Sequence, residues 1–186
     1  MTYQTYQTDQ KKTHGGYRSL KSYQTTTLIY DLSVEFVRLY IDRFSRTKDQ
    51  MVQAARSGRQ NIAEGSQASA TSKKTEIKLV GVARASLEEL LIDYEDFLRQ
   101  RGLKLWDKQS DQAHVIRELA YKSDKTYQAY QSYLKNAEEA ANAIICLIHQ
   151  ANYLLDRQLQ ALEGAFIKEG GYSENLFKKR LEHRSY

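Results

Sequence analysis

Arg56-Ser-Gly-Arg-Gln-Asn-Ile-Ala-Glu-Gly65 is the stretch whose reading decides the fold. Ala55, Gly58, Ile62 and Gly65 recur at three- and four-residue intervals, so on a helix they share one face, and three of the four are small. Glycine in a helix interior costs about 1 kcal/mol relative to alanine. Gly58 is therefore expected where another backbone comes close, and the helix that carries it is expected to pack tightly. Asn61 and Glu64 flank this face; as polar groups beside a close-packed seam they read as structural, bonding to neighbouring helices or to the helix end. The rest of the chain permits such helices to be long. Its 186 residues include no proline, the residue most damaging to a helix interior. With 41% apolar and 27% charged residues it can bury a core of its own. An all-α domain follows.

Working outward, Thr47 and Gln50 have the spacing of a capping box for this helix, the second of the chain, which is expected to run to Gly65 or Gln67. Upstream, a first helix is expected after Thr27. Leu28, Leu32, Phe36 and Leu39 follow the helical period, and Ile29, Val37, Tyr40, Ile41 and Phe44 widen the apolar face enough to imply more than one neighbour. Downstream, Ser72 can cap a third helix with Val80, Ala83, Leu87, Leu90, Leu91, Tyr94 and Leu98 inside, ended by Gly102. Trp106 to about Lys122 has a short helical pattern carrying Val115, Ile116 and Leu119, and the tyrosine-rich stretch from Asp124 to Lys135 fits helix or loop. Asn136 with Glu139 can cap a last long helix whose stripe runs from Ala140 through Ile148 to Leu162, stopped by Gly164 or Gly170. Ser173 to Glu182 has the pattern of a short helix. The expected architecture is an antiparallel up-and-down four-helix bundle with an extra helical segment before the last long helix. Residues 1–24 form a flexible basic arm in this reading, 25–165 the bundle, and 166–186 a basic tail.

Charge carries the functional reading. The net charge is +5, residues 25–163 balance, and the excess lies at the two ends. Such ends hold nucleic acid or an acidic surface, or are simply solvated. Within the balanced stretch cations dominate from Arg43 to Arg84, followed by Glu88, Glu89, Asp93, Glu95 and Asp96. That split either pairs helices within one subunit or joins the basic part of one subunit to the acidic part of the next. Arg56 and Arg59 lie three apart on one helix edge, and Lys73, Lys74 and Lys78 follow after the turn. An antiparallel pair of helices would bring these five toward one end, making them the candidate nucleic-acid contacts.

Catalytic and metal chemistry find little footing. There is no Glu-x-x-His for a di-iron centre, only a lone Asp111-x-x-His114, and the single cysteine excludes an internal disulfide and a four-cysteine zinc site. Cys146 and His149 are three apart, but two ligands do not close a metal site, and the thiol reads as a buried core group. No phosphate-binding glycine loop is present, and four scattered histidines assemble no acid-base constellation. No catalytic residue, cofactor or metal is expected. The first residues lack the apolar core of a signal peptide and no run of about eighteen apolar residues exists, so a cytoplasmic protein outside the membrane is expected.

Residues 50–98 contain Gln50-Met-Val-Gln-Ala-Ala-Arg-Ser57, then Asn61-Ile62-Ala63-Glu64-Gly65, a Ser/Lys-rich turn, and Ala83-Arg-Ala-Ser-Leu-Glu-Glu-Leu90. This resembles the four-helix bundle proteins encoded in intervening sequences of bacterial large-subunit ribosomal RNA genes, which are related to the accessory protein of diversity-generating retroelements. The resemblance covers the second and third helices, with Asn61 to Gly65 as its structural motif. It implies an up-and-down four-helix bundle that assembles as a ring, commonly a pentamer, without catalytic residues. In the related branch a basic ring binds nucleic acid and the reverse transcriptase. The chain departs from the pattern at Gly58-Arg59-Gln60, where the family commonly has a proline-containing turn, and between Leu103 and Lys135, where it is longer. The resulting expectation is a non-enzymatic homo-oligomeric scaffold that binds RNA, DNA or a ribonucleoprotein. The alternative is a protein-protein interaction module with no nucleic-acid role.

Overall fold

The computed structural model describes residues 16–121 and 127–184, and these are all-α, with no strand among them. After a 3-10 turn at Tyr17–Ser19 come α1 (Lys21–Tyr40), α2 (Arg46–Ala68), α3 (Lys73–Gln100), α4 (Asp111–Tyr121), a single turn α5 (Tyr127–Tyr130), α6 (Ala137–Glu169) and α7 (Tyr172–Arg184). The first fifteen residues of the expected arm, and residues 122–126 of the tyrosine-rich region, lie outside the described residues.

Each long helix has two long neighbours: α1 and α3 both pack on α2 and on α6. The stripes named from the sequence fill the space between them. Ala55, Gly58, Ile62 and Gly65 of α2 are buried, as are Val80, Ala83, Leu87, Leu90, Leu91, Tyr94 and Leu98 of α3 and Ala140, Ala141, Ile144, Ile148, Ala151 and Leu155 of α6. Phe36 of α1 meets the rings of Tyr94 and Phe97 edge-on, and the buried Tyr94 hydroxyl donates to Ser33 Oγ at 2.9 Å, whereas the hydroxyl of Tyr130, also buried, has no hydrogen-bond partner among the described residues. The wide apolar face of α1 is covered within the chain, since α1 touches α2, α6, α5 and the 3-10 turn. Leu39 and Phe44, expected on that face, are exposed: Leu39 stands on the outer side of the last turn, and Phe44, 80% exposed, falls beyond the helix end at Tyr40, where the extended Ile41 turns the chain away.

Several boundaries differ from the sequence reading, each for a local reason. Helix α1 begins at Lys21, ahead of Thr27, because the threonine hydroxyls bond back along the helix: Thr25 to the Lys21 carbonyl, Thr26 to Ser22 and Thr27 to Tyr23. Ser22 Oγ also donates to Gln158 of α6 at 2.8 Å, so a polar segment is held as the first turns of a core helix. Ser45, and not Thr47, caps α2, its side chain accepting from the Thr47 amide. Ser72 caps α3 and Asn136 caps α6, accepting from Thr75 N and from Glu138 N and Glu139 N respectively. Trp106 stands outside any helix, since the chain from Leu103 to Ser110 is held extended and turned before α4 starts at Asp111. Helix α6 runs through Gly164 and stops at Gly170, whose φ of 72° is the left-handed conformation that glycine adopts freely.

Candidate functional site

The motif residues of α2 build the seam with α3. A Cβ placed on Gly58 would stand 2.8 Å from Leu87 Cδ2, and one on Gly65 would stand 3.3 Å from the Glu76 carbonyl oxygen and from Leu79 Cβ. Both glycines are thus small because α3 is close. Asn61 Nδ2 donates to the Ser57 carbonyl at 2.9 Å and to Ser57 Oγ at 3.1 Å, and Ser57 Oγ in turn lies 2.9 Å from Ser86 Oγ on α3. Ile62 is fully buried and Ala63 half-buried, whereas Glu64 is exposed and has no close-packed environment to satisfy.

The same seam spreads the five candidate cations. Ser57 faces Ser86 and Gly65 faces Glu76, so residues rising along α2 meet residues falling along α3. Arg56 accordingly stands level with Leu87, about 20 Å along the helix axis from Lys74 at 1.5 Å per residue. Arg56, Lys74 and Lys78 are exposed. Arg59 turns toward α1, with its guanidinium 4.3 Å over the Tyr30 ring and its Nε buried without a hydrogen-bond partner among the described residues. Beside it Asp31 is pushed above the ordinary carboxylate range by burial, which the Arg59 charge only partly opposes. Lys73 is ion-paired with Glu169 at the end of α6, and that hydrogen bond lowers the Glu169 carboxyl. Lys74 and Lys78 therefore stay together at the α2–α3 turn, while Arg56 and Arg59 lie farther along α2.

The Lys73–Glu169 pair has a second effect that no local sequence signal announces. It brings the end of α6, and with it the start of α7, to the α2–α3 turn. Lys168 and, on α7, Lys178, Lys179, Arg180 and Arg184 are all exposed. On α7 these four cations outnumber Glu174 and Glu182, so a positively charged helix continues from that end of the molecule.

The charge split along α3 is answered in part inside the chain. Arg84 bridges Glu88 at 2.7 Å and Asp156 of α6 at 3.2 Å. Asp93 and Asp96 line a cleft of about 220 Å³ beneath the α1–α2 turn, opposite Ser45 and Thr47 and beside Arg101. Asp93 Oδ2 is buried there without a hydrogen-bond partner among the described residues.

A larger cavity, of about 470 Å³, opens where the segment after α3 crosses α6 beneath α4. Asn142 of α6, 1% exposed, organises it: Oδ1 accepts from the Trp106 amide at 2.7 Å, and Nδ2 donates to the Lys104 carbonyl at 2.8 Å and to that of Glu138 at 2.9 Å. Arg117 of α4 donates through Nη1 to the Lys108 carbonyl at 2.7 Å, tying α4 to the same segment. Burial pushes the Cys146 thiol in the wall up to about 11 against the opposing charge of Arg117, and the His149 side chain is exposed. Among the described residues no group of three or more His, Cys, Asp or Glu is placed to hold a metal ion, and no helix is long and apolar enough to cross a membrane. Compared with protein-family models, curated proteins and solved structures, the chain matches none.

Proposed function

We propose that this chain is a cytoplasmic, non-enzymatic scaffold, an antiparallel up-and-down four-helix bundle of α1, α2, α3 and α6, that self-associates and binds nucleic acid or a ribonucleoprotein through one basic end. The opposed α2–α3 register supports the bundle topology, together with two ties to α6: Tyr40 near the end of α1 donates to the Leu134 carbonyl just before α6 starts, and Lys73 near the start of α3 meets Glu169 at its end. The observation that carries the binding reading is the gathering of the exposed Lys74, Lys78 and Lys168 at the end where Lys73 meets Glu169, with the cation-rich α7 continuing from there. Cations presented on exposed helix turns contact phosphate and not base edges, so binding is expected to be salt-sensitive and tolerant of sequence. The resemblance of residues 50–98 to the bundles of ribosomal intervening sequences points the same way.

Fluorescence anisotropy with a labelled structured RNA tests this. Binding at about 50 mM salt should fall by an order of magnitude or more at about 200 mM. Lys74→Glu with Lys78→Glu, or Lys178→Glu with Lys179→Glu, should each weaken it, while Arg56→Glu should matter less. Absence of binding at low salt leaves the protein-interaction module. The self-association in this proposal has its own support, because the outward face of α3 repeats Lys78, Val82, Ala85, Glu89, Ile92, Asp96 and Arg99 at alternating spacings of four and three. Val82 and Ile92 on it are 40% and 53% exposed. Two copies of this seam laid antiparallel about a two-fold axis set Lys78 against Asp96 and Val82 against Ile92, a self-complementary contact.

A further inference from the structure

We propose that the cavity beside Trp106 is a binding site for a small planar aromatic carboxylate. The site is independent of the nucleic-acid and self-association readings, lying on the face where α4 and the 103–110 segment cover α6.

Three observations define the ligand. The volume, about 470 Å³, is that of a small-molecule pocket. Leu105, Trp106 and Ile145 supply flat apolar walls, which an aromatic ring fills at little entropic cost. Lys108 and Arg117 stand at its edge against the single carboxylate of Glu95, a surplus of positive charge that selects an anion. Arg117 is the better anchor, since its bond to the Lys108 carbonyl holds the guanidinium while other N–H groups remain to meet a carboxylate. The ligand is bound and not turned over: the Cys146 thiol, pushed up by burial, stays protonated through neutral pH and is no nucleophile.

Trp106 is the chain's only tryptophan, so its emission reports on this cavity directly. The full chain is titrated with 4-hydroxybenzoate, and in parallel with 4-hydroxybenzamide, which lacks the charge. A saturable change in Trp106 emission with 4-hydroxybenzoate, half-complete near about 1 mM as befits ten heavy atoms, is expected. The amide should bind about tenfold more weakly. Arg117→Gln, its helix content checked by circular dichroism, should lose about tenfold for 4-hydroxybenzoate and nothing for the amide. A linear, non-saturating response up to about 10 mM overturns the proposal, as does equal binding of acid and amide by the unmodified chain, a result that needs no variant to fold.

Discussion

Asp93 and Tyr94 are neighbours on α3 with opposite fates. The Tyr94 hydroxyl, fully buried, has Ser33 as its partner, whereas Asp93 carries one buried carboxylate oxygen that meets no donor among the described residues. Burial raises the Asp93 carboxyl above its ordinary value of 3.8, and the charges of Glu89 and Asp96 push in the same direction. The folded chain therefore holds this proton at pH values where the unfolded chain has released it. Stability from this group is full below the unfolded value and is lost as pH rises through the folded one, so at neutral pH the charged Asp93 works against the fold. Asp93→Asn, which mimics the protonated acid, should raise the urea midpoint at pH 7, and its advantage should shrink as pH is lowered toward about 4. An advantage of equal size at both pH values would place the effect elsewhere. The acidic run from Glu88 to Asp96 was visible in the sequence; that one of its oxygens is walled in by the α1–α2 turn was not, because that turn is some fifty residues away along the chain.

At the scale of elements, glycine separates close contact from open helix. Gly58 and Gly65 face α3 at distances that leave little room for a side chain, whereas nothing lies within 4 Å of a Cβ added to Gly81 or Gly164. Gly58→Leu should cost roughly 1 to 3 kcal/mol through overpacking against Leu87, and Gly81→Ala should instead stabilise by roughly 0.5 to 1 kcal/mol through helix propensity alone. Chemical denaturation of the two variants gives both signs in one experiment, and an unchanged midpoint for Gly58→Leu would remove the close-contact account of the α2 stripe. The stripe was legible because spacing and residue size are local properties, as were the caps at Ser72 and Asn136. The start of α1 was not, since its first turns contain Ser22, Thr25 and Thr26, whose burial depends on hydroxyls bonding back to the helix and on Gln158 of α6.

For the whole molecule, the question is what covers the outward seam of α3. The broad face of α1 is largely covered inside the chain, by α2, α6 and α5, which leaves Val82 and Ile92 as the apolar pair on the outward face of α3. Size exclusion with light scattering should give twice 21.6 kDa for a two-fold pair, reduced to one chain by Val82→Lys with Ile92→Lys. Five times that mass would point to the ring implied by the resemblance, with a head-to-tail contact in place of the two-fold one. A strict monomer at tens of micromolar would leave the seam as ordinary solvated surface and remove self-association from the proposed function.

By itself the sequence determined the class and most of the inside. An absent proline, three-and-four apolar spacings and a small-residue stripe are all read within a few residues of one another, and helix formation is decided over the same span. The tertiary structure alone decided which charged groups share a surface. Five cations close in sequence are spread along the α2–α3 seam, with Arg59 drawn onto Tyr30 and Lys73 onto Glu169, while α7, ninety-odd residues beyond Lys78, starts near the end that carries Lys74 and Lys78. The cavity at Trp106 belongs to this second kind as well, assembled by the hydrogen bonds that Asn142 makes to a segment about forty residues upstream. Side-chain spacing along one helix is set by its 3.6-residue turn, but which groups meet across helices depends on how those helices pack, and packing is a property of the folded chain.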